Sequence, residues 1–256
     1  MLQYPHIDPI AISIGPFSIR WYGLSYLLGF LGCYWMCIVR GRGTEWTKQK
    51  LADVLFYVAL GIIFGGRLGY VLFYDPTEIF NNPLTMLAFW EPGRSFHGGM
   101  LGVFVALLIY VKFNGPKFIA LTDFIAPAVP IGLGCGRIGN FINGELYGRV
   151  TSLPWGMVFP HAGSAPRHPS QLYEFFLEGV LLFLILTWYA RKPRHLGAVS
   201  GMFLLAYSLM RFLVEFVRQP DASHGFVALN WMTMGHILSI PMIMLGLYML
   251  FRKTGK

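Results

Sequence analysis

Charge is what this 256-residue sequence has least of: Asp, Glu, Lys and Arg make up 12% of it, while 55% of residues are hydrophobic. Soluble domains carry about 25% charged residues, so a water-soluble globule is excluded. Cysteine is scarce as well. Cys33, Cys37 and Cys135 are the only three; odd in number, unspaced and set in apolar segments, they give neither a disulfide framework nor a metal site. Cys33 and Cys37 stand one helical turn apart, which reads as packing. Internal repeats and low-complexity tracts are absent. No secretory leader is expected: Pro5, Asp8, Pro9 and Pro16 precede the first apolar run, and no cationic start leads into a short apolar core. The net charge of +8 would suggest nucleic acid in a soluble protein. In a chain of mean hydropathy +0.54 it reads instead as positive-inside bias and contact with anionic membrane lipids, and no nucleic acid partner is expected.

What the sequence does have is apolar length. A helix needs about 20 residues to cross a bilayer. Seven segments approach that, at approximately 21–39, 51–74, 98–111, 121–138, 171–189, 198–217 and 232–251. The third is short and either begins earlier or is re-entrant. The expectation is an all-α polytopic membrane protein of about seven transmembrane helices, forming a single integral membrane domain over 1–256. Its alternate loops sort cations unequally. Arg40, Arg42, Lys48, Lys50, Lys112, Lys117, Arg191, Lys192, Arg194, Arg252, Lys253 and Lys256 fall on one side; Arg20, Arg94, Arg149, Arg167 and Arg218 fall on the other. The positive-inside rule then places the C-terminus in the cytoplasm and the N-terminus outside. Three outer pieces exceed a tight turn. Residues 1–20, where Ile10, Ile12 and Ile14 alternate with Ala11 and Ser13, suit a small strand or interfacial arm. Residues 75–96 are aromatic and apolar and suit an interfacial amphipathic piece. Residues 141–169, with Trp155, Phe159 and several prolines, suit a small extracytoplasmic cap.

Against this apolar background the polar residues stand out, because charge inside a bilayer usually marks a site. Arg137, Asn140, Asn143 and Glu145 lie among glycines between Gly134 and Gly148. Arg137 either pairs with Glu145 to hold the cap or faces an anion, and the two roles can coexist. Tyr207, Arg211, Glu215 and Arg218, spaced by four, four and three, share one face of the sixth helix. They form either a structural Arg–Glu pair or a cationic stripe along a polar cavity, and the planar fork of arginine suits phosphate. Arg67, among Gly65, Gly66 and Gly69, reads as packing and charge pairing. His97 opens the third helix beside Gly98 and Gly99, accessible and able to accept a proton in its neutral form. His168 is expected to bond within the start of the fifth helix, with Ser170 as its N-cap. His236 has no supporting context. Tyr26, one turn inside the first helix, is core glue or cavity lining.

Together, Arg20-Trp21-Tyr22-Gly23, Gly65-Gly66-Arg67, Phe96-His97-Gly98-Gly99, the Gly136–Gly148 stretch, Arg167-His168-Pro169-Ser170-Gln171-Leu172-Tyr173-Glu174 and Arg211-Phe212-Leu213-Val214-Glu215 resemble bacterial phosphatidylglycerol–prolipoprotein diacylglyceryl transferases over nearly the whole chain. The resemblance implies transfer of the diacylglyceryl group from phosphatidylglycerol to the lipobox cysteine in the signal peptide region of a preprolipoprotein. A thioether forms and glycerol-1-phosphate leaves, in the first step of bacterial lipoprotein maturation. It implies His97 as the base, since the thiolate is the nucleophile, and Arg137 and Arg211 as stabilisers of the leaving phosphate. Tyr26, Asn140, Glu145, Gly148, Tyr207 and Glu215 would bind or orient the substrate. No metal or cofactor is expected, and the site would face outward from the bacterial cytoplasmic (inner) membrane. The competing class is a membrane transporter or channel for an anionic solute, which would prefer a polar lining running to both faces. An intramembrane protease would need membrane aspartates or a serine–histidine pair, and Asp53 and Asp123 sit near the inner ends instead.

Overall fold

The computed structural model describes residues 2–15, 17–74, 84, 95–220 and 225–252. All seven apolar segments are helical: α1 (Trp21–Gly41), α2 (Lys48–Tyr74), α3 (Phe96–Asn114), α4 (Phe118–Ile125) with α5 (Val129–Ile142), α6 (Ser170–Tyr189), α7 (Ala198–Glu215) and α8 (Met234–Phe251). Five of these stretches are long and apolar enough to cross a bilayer, namely Trp21–Gly41, Lys48–Leu72, Ser170–Tyr189, Ala198–Glu215 and Met234–Phe251. The chain is a multi-pass membrane protein. The apolar part of the third helix, Gly98–Asn114, is shorter, and α3 begins at Phe96, earlier than hydropathy places it.

The fourth segment differs from expectation. Instead of one helix it is a pair, α4 and α5, bent by 55°. Pro127 and Pro130 are the reason. Proline lacks an N–H and pushes the preceding residue out of the helical region, so residues 126–128 leave the helix. Pro130 falls in the first turn of α5, where a missing N–H costs nothing.

The chain divides into two compact units, Cys37–Leu121 and a second built from Met1–Met36 with Thr122–Lys256. In the first unit, α2 and α3 meet along glycines. Gly61, Gly65 and Gly69 face Gly98 and Gly102, and a Cβ on Gly65 would lie 2.7 Å from the Gly102 Cα. Glycine at every fourth residue leaves one flat face, so two backbones approach and gain dispersion contact that lipid cannot supply. Ser95 caps α3 by accepting from the Gly98 N–H.

Similar seams hold the second unit. A Cβ on Gly179 of α6 would lie 2.9 Å from the Gly134 Cα of α5, and one on Gly246 of α8 would lie 2.7 Å from the Leu205 nitrogen of α7. Leu182, Leu186, Ala206 and Met210 are buried together between α6 and α7. At the start of α7, Asp123 accepts from the Gly197 N–H (2.6 Å), the Ser200 N–H (2.7 Å) and the Ser200 hydroxyl (2.6 Å).

The expected N-terminal strand is present. Ile10–Ile14 (β2) pairs antiparallel with Phe17–Arg20 (β3). Ile12, Ile14, Phe17 and Ile19 stay exposed, as an arm at a lipid interface requires. Leu2–Gln3 (β1) instead pairs in parallel with Met157–Val158 (β4) of the cap. Tyr4, Phe141, Tyr147 and Phe159 pack around that junction with ring centroids 5.3–6.4 Å apart. The Tyr4 hydroxyl lies 2.7 Å from both the Phe141 and Ile142 carbonyls, and burial raises its pKa. The interfacial piece expected at 75–96 lies almost wholly outside the described residues.

Candidate active site

Helix α6 carries two carboxylates, Glu174 and Glu178, in an otherwise apolar run. Residues Phe175–Leu181, immediately after Glu174, form a π-helical turn, a local widening that is frequent at functional sites. Both glutamates are fully buried. A carboxylate survives burial only with compensating partners, and here they are arginines from three parts of the chain. Arg137 of α5 brings Nε to 2.8 Å from Glu174 Oε2 and Nη2 to 3.3 Å from Glu178 Oε2. Arg211 of α7 brings Nη1 to 2.8 Å from Glu174 Oε1 and Nη2 to 2.7 Å from Glu215 Oε2, one turn further along the same helix. Arg218 brings Nη1 to 2.9 Å from Glu174 Oε1. The arginine side chains remain 12–18% exposed while Glu174 and Glu178 are sealed. The charges cancel formally, three against three, and the cations keep more exposure than the carboxylates, of which only Glu215 is open at all, at 6%.

Each expected residue but His97 has a definite place. Arg137 pairs with Glu174 and Glu178 rather than with Glu145. The Glu145 carboxylate is held by neutral donors instead, Asn140 Nδ2 at 2.9 Å and Asn143 Nδ2 at 3.4 Å, while Gln171 Nε2 donates to its carbonyl at 2.6 Å. Leu146 follows with φ of 59°, a strained conformation for a bulky side chain. Its carbonyl accepts from the Ser170 hydroxyl at 2.9 Å. Ser170 is therefore not the N-cap of α6: Pro169 holds that position without a side-chain bond. The His168 Nδ1 lies 3.3 Å from the Tyr173 hydroxyl, inside the helix start as expected. That hydroxyl accepts from Trp155 Nε1, and burial lowers the His168 pKa.

Tyr207 stacks on Phe203, within electrostatic reach of Glu178, Arg211 and Arg137. Arg218 is beyond the end of α7 rather than on its face, and its backbone bridges to Gly148. A Cβ on Gly148 would meet the Val217 carbonyl at 2.5 Å and the His168 Cβ at 2.7 Å. This glycine lets the cap close on the chain that carries Arg218. Tyr26 is half exposed, its hydroxyl 3.0 Å from that of Tyr22, and Tyr22 lies within reach of Asn140 and Glu145. His97 is the second residue of α3; its side chain lies outside the described residues.

Sequence reasoning missed the hub. Glu174 enters it only inside a motif, and Glu178 not at all, although two carboxylates one turn apart in a 20-residue apolar segment were the signal. His236, given no supporting context, and Thr233, which sequence reasoning did not consider, join Glu215 in a buried hydrogen-bonded group.

A family profile described as prolipoprotein diacylglyceryl transferase matches residues 9–252. Three of the relatives that bear the name phosphatidylglycerol–prolipoprotein diacylglyceryl transferase illustrate the match. One from Coxiella burnetii (strain RSA 331 / Henzerling II) is 55% identical over 248 residues, 96% of this chain and 95% of its own. One from Legionella pneumophila (strain Philadelphia 1) is 51% identical over 257 residues, 99% of this chain and 100% of its own. One from Aliivibrio salmonicida is 56% identical over 251 residues, 97% of this chain and 88% of its own.

Proposed function

We propose a function from one premise: the chain belongs to the prolipoprotein diacylglyceryl transferase family. It is a transferase that moves the diacylglyceryl group of phosphatidylglycerol onto the lipobox cysteine thiol of a preprolipoprotein in the bacterial cytoplasmic membrane. The relatives' shared name favours this over a transporter or channel. The observation that carries the chemistry is the convergence of Arg137, Arg211 and Arg218 on Glu174 with their side chains still partly exposed.

In the reaction a sulfur–carbon bond forms as the carbon–oxygen bond to phosphate breaks. The electron pair leaves on the phosphate oxygen and the thiol proton passes to a base. A diester anion becomes a monoester with more charge, so the need for positive partners grows along the reaction path. Preorganised donors aimed at developing charge are worth most in a water-poor site. The carboxylates of Glu174 and Glu178 fix the forks of Arg137 and Arg211 before the lipid arrives. Asn140, Glu145, Tyr26 and Tyr207 line or orient the headgroup, and Gly148 keeps the cap against the site. His97 is the base that activates the substrate thiol, a role supported by the resemblance and by its place beside Gly98 and Gly99. The chain acts as one integral membrane domain with residues 141–169 as its cap. The site faces the extracytoplasmic side, with the N-terminus outside and the C-terminus cytoplasmic.

Purified protein given phosphatidylglycerol vesicles and a lipobox peptide should yield a thioether-linked lipopeptide and free glycerol phosphate. The His97→Gln protein should retain phosphatidylglycerol binding and lose transfer. Near-normal turnover in that variant removes His97 from the mechanism, and no product from the unmodified protein removes the transferase reading.

A further inference from the structure

We propose that the first turn of α8 is a positioning device for Arg211, in which Thr233, Gly235 and His236 hold the Glu215 carboxylate against that guanidinium. The inference rests on the role of Arg211 given above and adds three residues to which the reaction assigns nothing.

The hydrogen count fixes the direction of the chain. Thr233 is the N-cap of α8 and forms a capping box with His236: the His236 backbone N–H donates to the Thr233 hydroxyl oxygen, and His236 Nδ1 accepts from the Thr233 backbone N–H at 3.2 Å. Nδ1 is therefore the acceptor nitrogen, and the neutral ring carries its proton on Nε2. The Thr233 hydroxyl has a single proton, and its Oγ1 lies 2.7 Å from Glu215 Oε1. That proton goes to the carboxylate. Glu215 Oε2 in turn lies 2.7 Å from Arg211 Nη2. The sequence His236, Thr233, Glu215, Arg211 is thus an ordered relay of donors and acceptors whose first two members never touch the guanidinium.

Two further features give the relay its stiffness. His236 is fully buried, and its ring sits 4.7 Å from Phe212, 4.7 Å from Phe216 and 5.3 Å from Trp231. Among the described residues Nε2 finds no conventional acceptor; the surrounding aromatic rings leave the imidazole its Thr233 bond as the polar contact to keep. Gly235 supplies the space. A Cβ there would lie 2.5 Å from Glu215 Cδ and 2.6 Å from Oε2. The carboxylate rests directly on the helix's first turn, whose outward N–H groups favour negative charge.

Gly235→Ala separates positioning from folding, because the three atoms nearest the added methyl all belong to the far end of a flexible side chain, the Glu215 carboxylate. The carboxylate must move while the helices stay packed. Measured as kcat and KM for transfer to a lipobox peptide, Gly235→Ala should lose about 10- to 100-fold in kcat, the scale set by small misplacements of a reacting array. The Gly235→Ala/Glu215→Ala double variant should lose no more than Glu215→Ala alone, since both changes act through one carboxylate. His236→Gln, the usual capping-box partner, should stay within about threefold of the unmodified enzyme, whereas His236→Leu should match Gly235→Ala. A Gly235→Ala enzyme with unaltered kcat, or losses that multiply in the double variant, would overturn the positioning role and leave the transferase reading intact. Absence of transfer by the unmodified protein defeats both, and that lane alone distinguishes the two failures.

Discussion

Helix α7 is gripped by a buried or half-buried carboxylate at each end, and the two grips are made of different chemistry. At its start, Asp123 accepts from two backbone N–H groups and a hydroxyl. Near its end, Glu174 accepts from Arg211 of α7 and from Arg137 and Arg218 besides. Neutral donors satisfy a carboxylate and finish the matter: nothing is left over to bind anything else. Arginines satisfy it with one or two of their five N–H groups and retain the rest. The same carboxylate chemistry therefore yields a joint at one end and, in the proposed reaction, the anion site at the other. Buried ion pairs contribute little net stability, so a triple one in a membrane protein is better understood through what its spare donors face.

The contrast can be broken most severely at Glu174. Glu174→Leu leaves three guanidinia without their shared partner, and removal of one member of a buried charge network destabilises by about 3–5 kcal/mol. The expected result is lost transfer together with a lowered midpoint of thermal inactivation in detergent. A Glu174→Leu enzyme with unimpaired transfer would make the hub a passive joint like Asp123. Next come Arg137→Lys and Arg211→Lys, which keep the charge and discard the fork. Each should fold and lose about 100-fold in kcat, as sites do when one aligned donor is removed. Unchanged rates in both would end the phosphate clamp. Asp123→Ala should be mildest, lowering stability by about 1–2 kcal/mol through the lost cap. Its transfer rate per folded molecule should match that of the unmodified enzyme; a selective kcat loss would erase the distinction between the two ends.

Much of this was legible in the chain and some was not, for reasons that differ by residue. The apolar runs declared all seven helical segments because burial in lipid imposes length and composition together. The alternation of Ile10, Ile12 and Ile14 announced β2, since strand periodicity is local. Spacing also placed Arg211 and Glu215 correctly, because the pair lies within one turn. The partners of Arg137 were not readable: Glu174 and Glu178 are 37 and 41 positions away in sequence, and the nearer Glu145 satisfied the same charge argument. Arg218 was placed on the helix face, yet the helix stops at Glu215 and the residue reaches Glu174 from the following turn. Helix termination of that kind depends on the bridge to Gly148, a tertiary contact. The break between α4 and α5 could have been found, because Pro127 and Pro130 stood in plain view.

The parallel pairing of Leu2–Gln3 with Met157–Val158 also has a consequence in time. Ribosomes add about 5–20 residues per second, so the second strand follows the first by some tens of seconds at the slow end of that range. During the interval Tyr4 has no Phe141 or Ile142 carbonyl to bond and no Phe159 to pack against. The cap cannot close until the chain has already committed α1 to α5. Whatever guards those first residues during synthesis must release them late, after the helices beneath the cap exist.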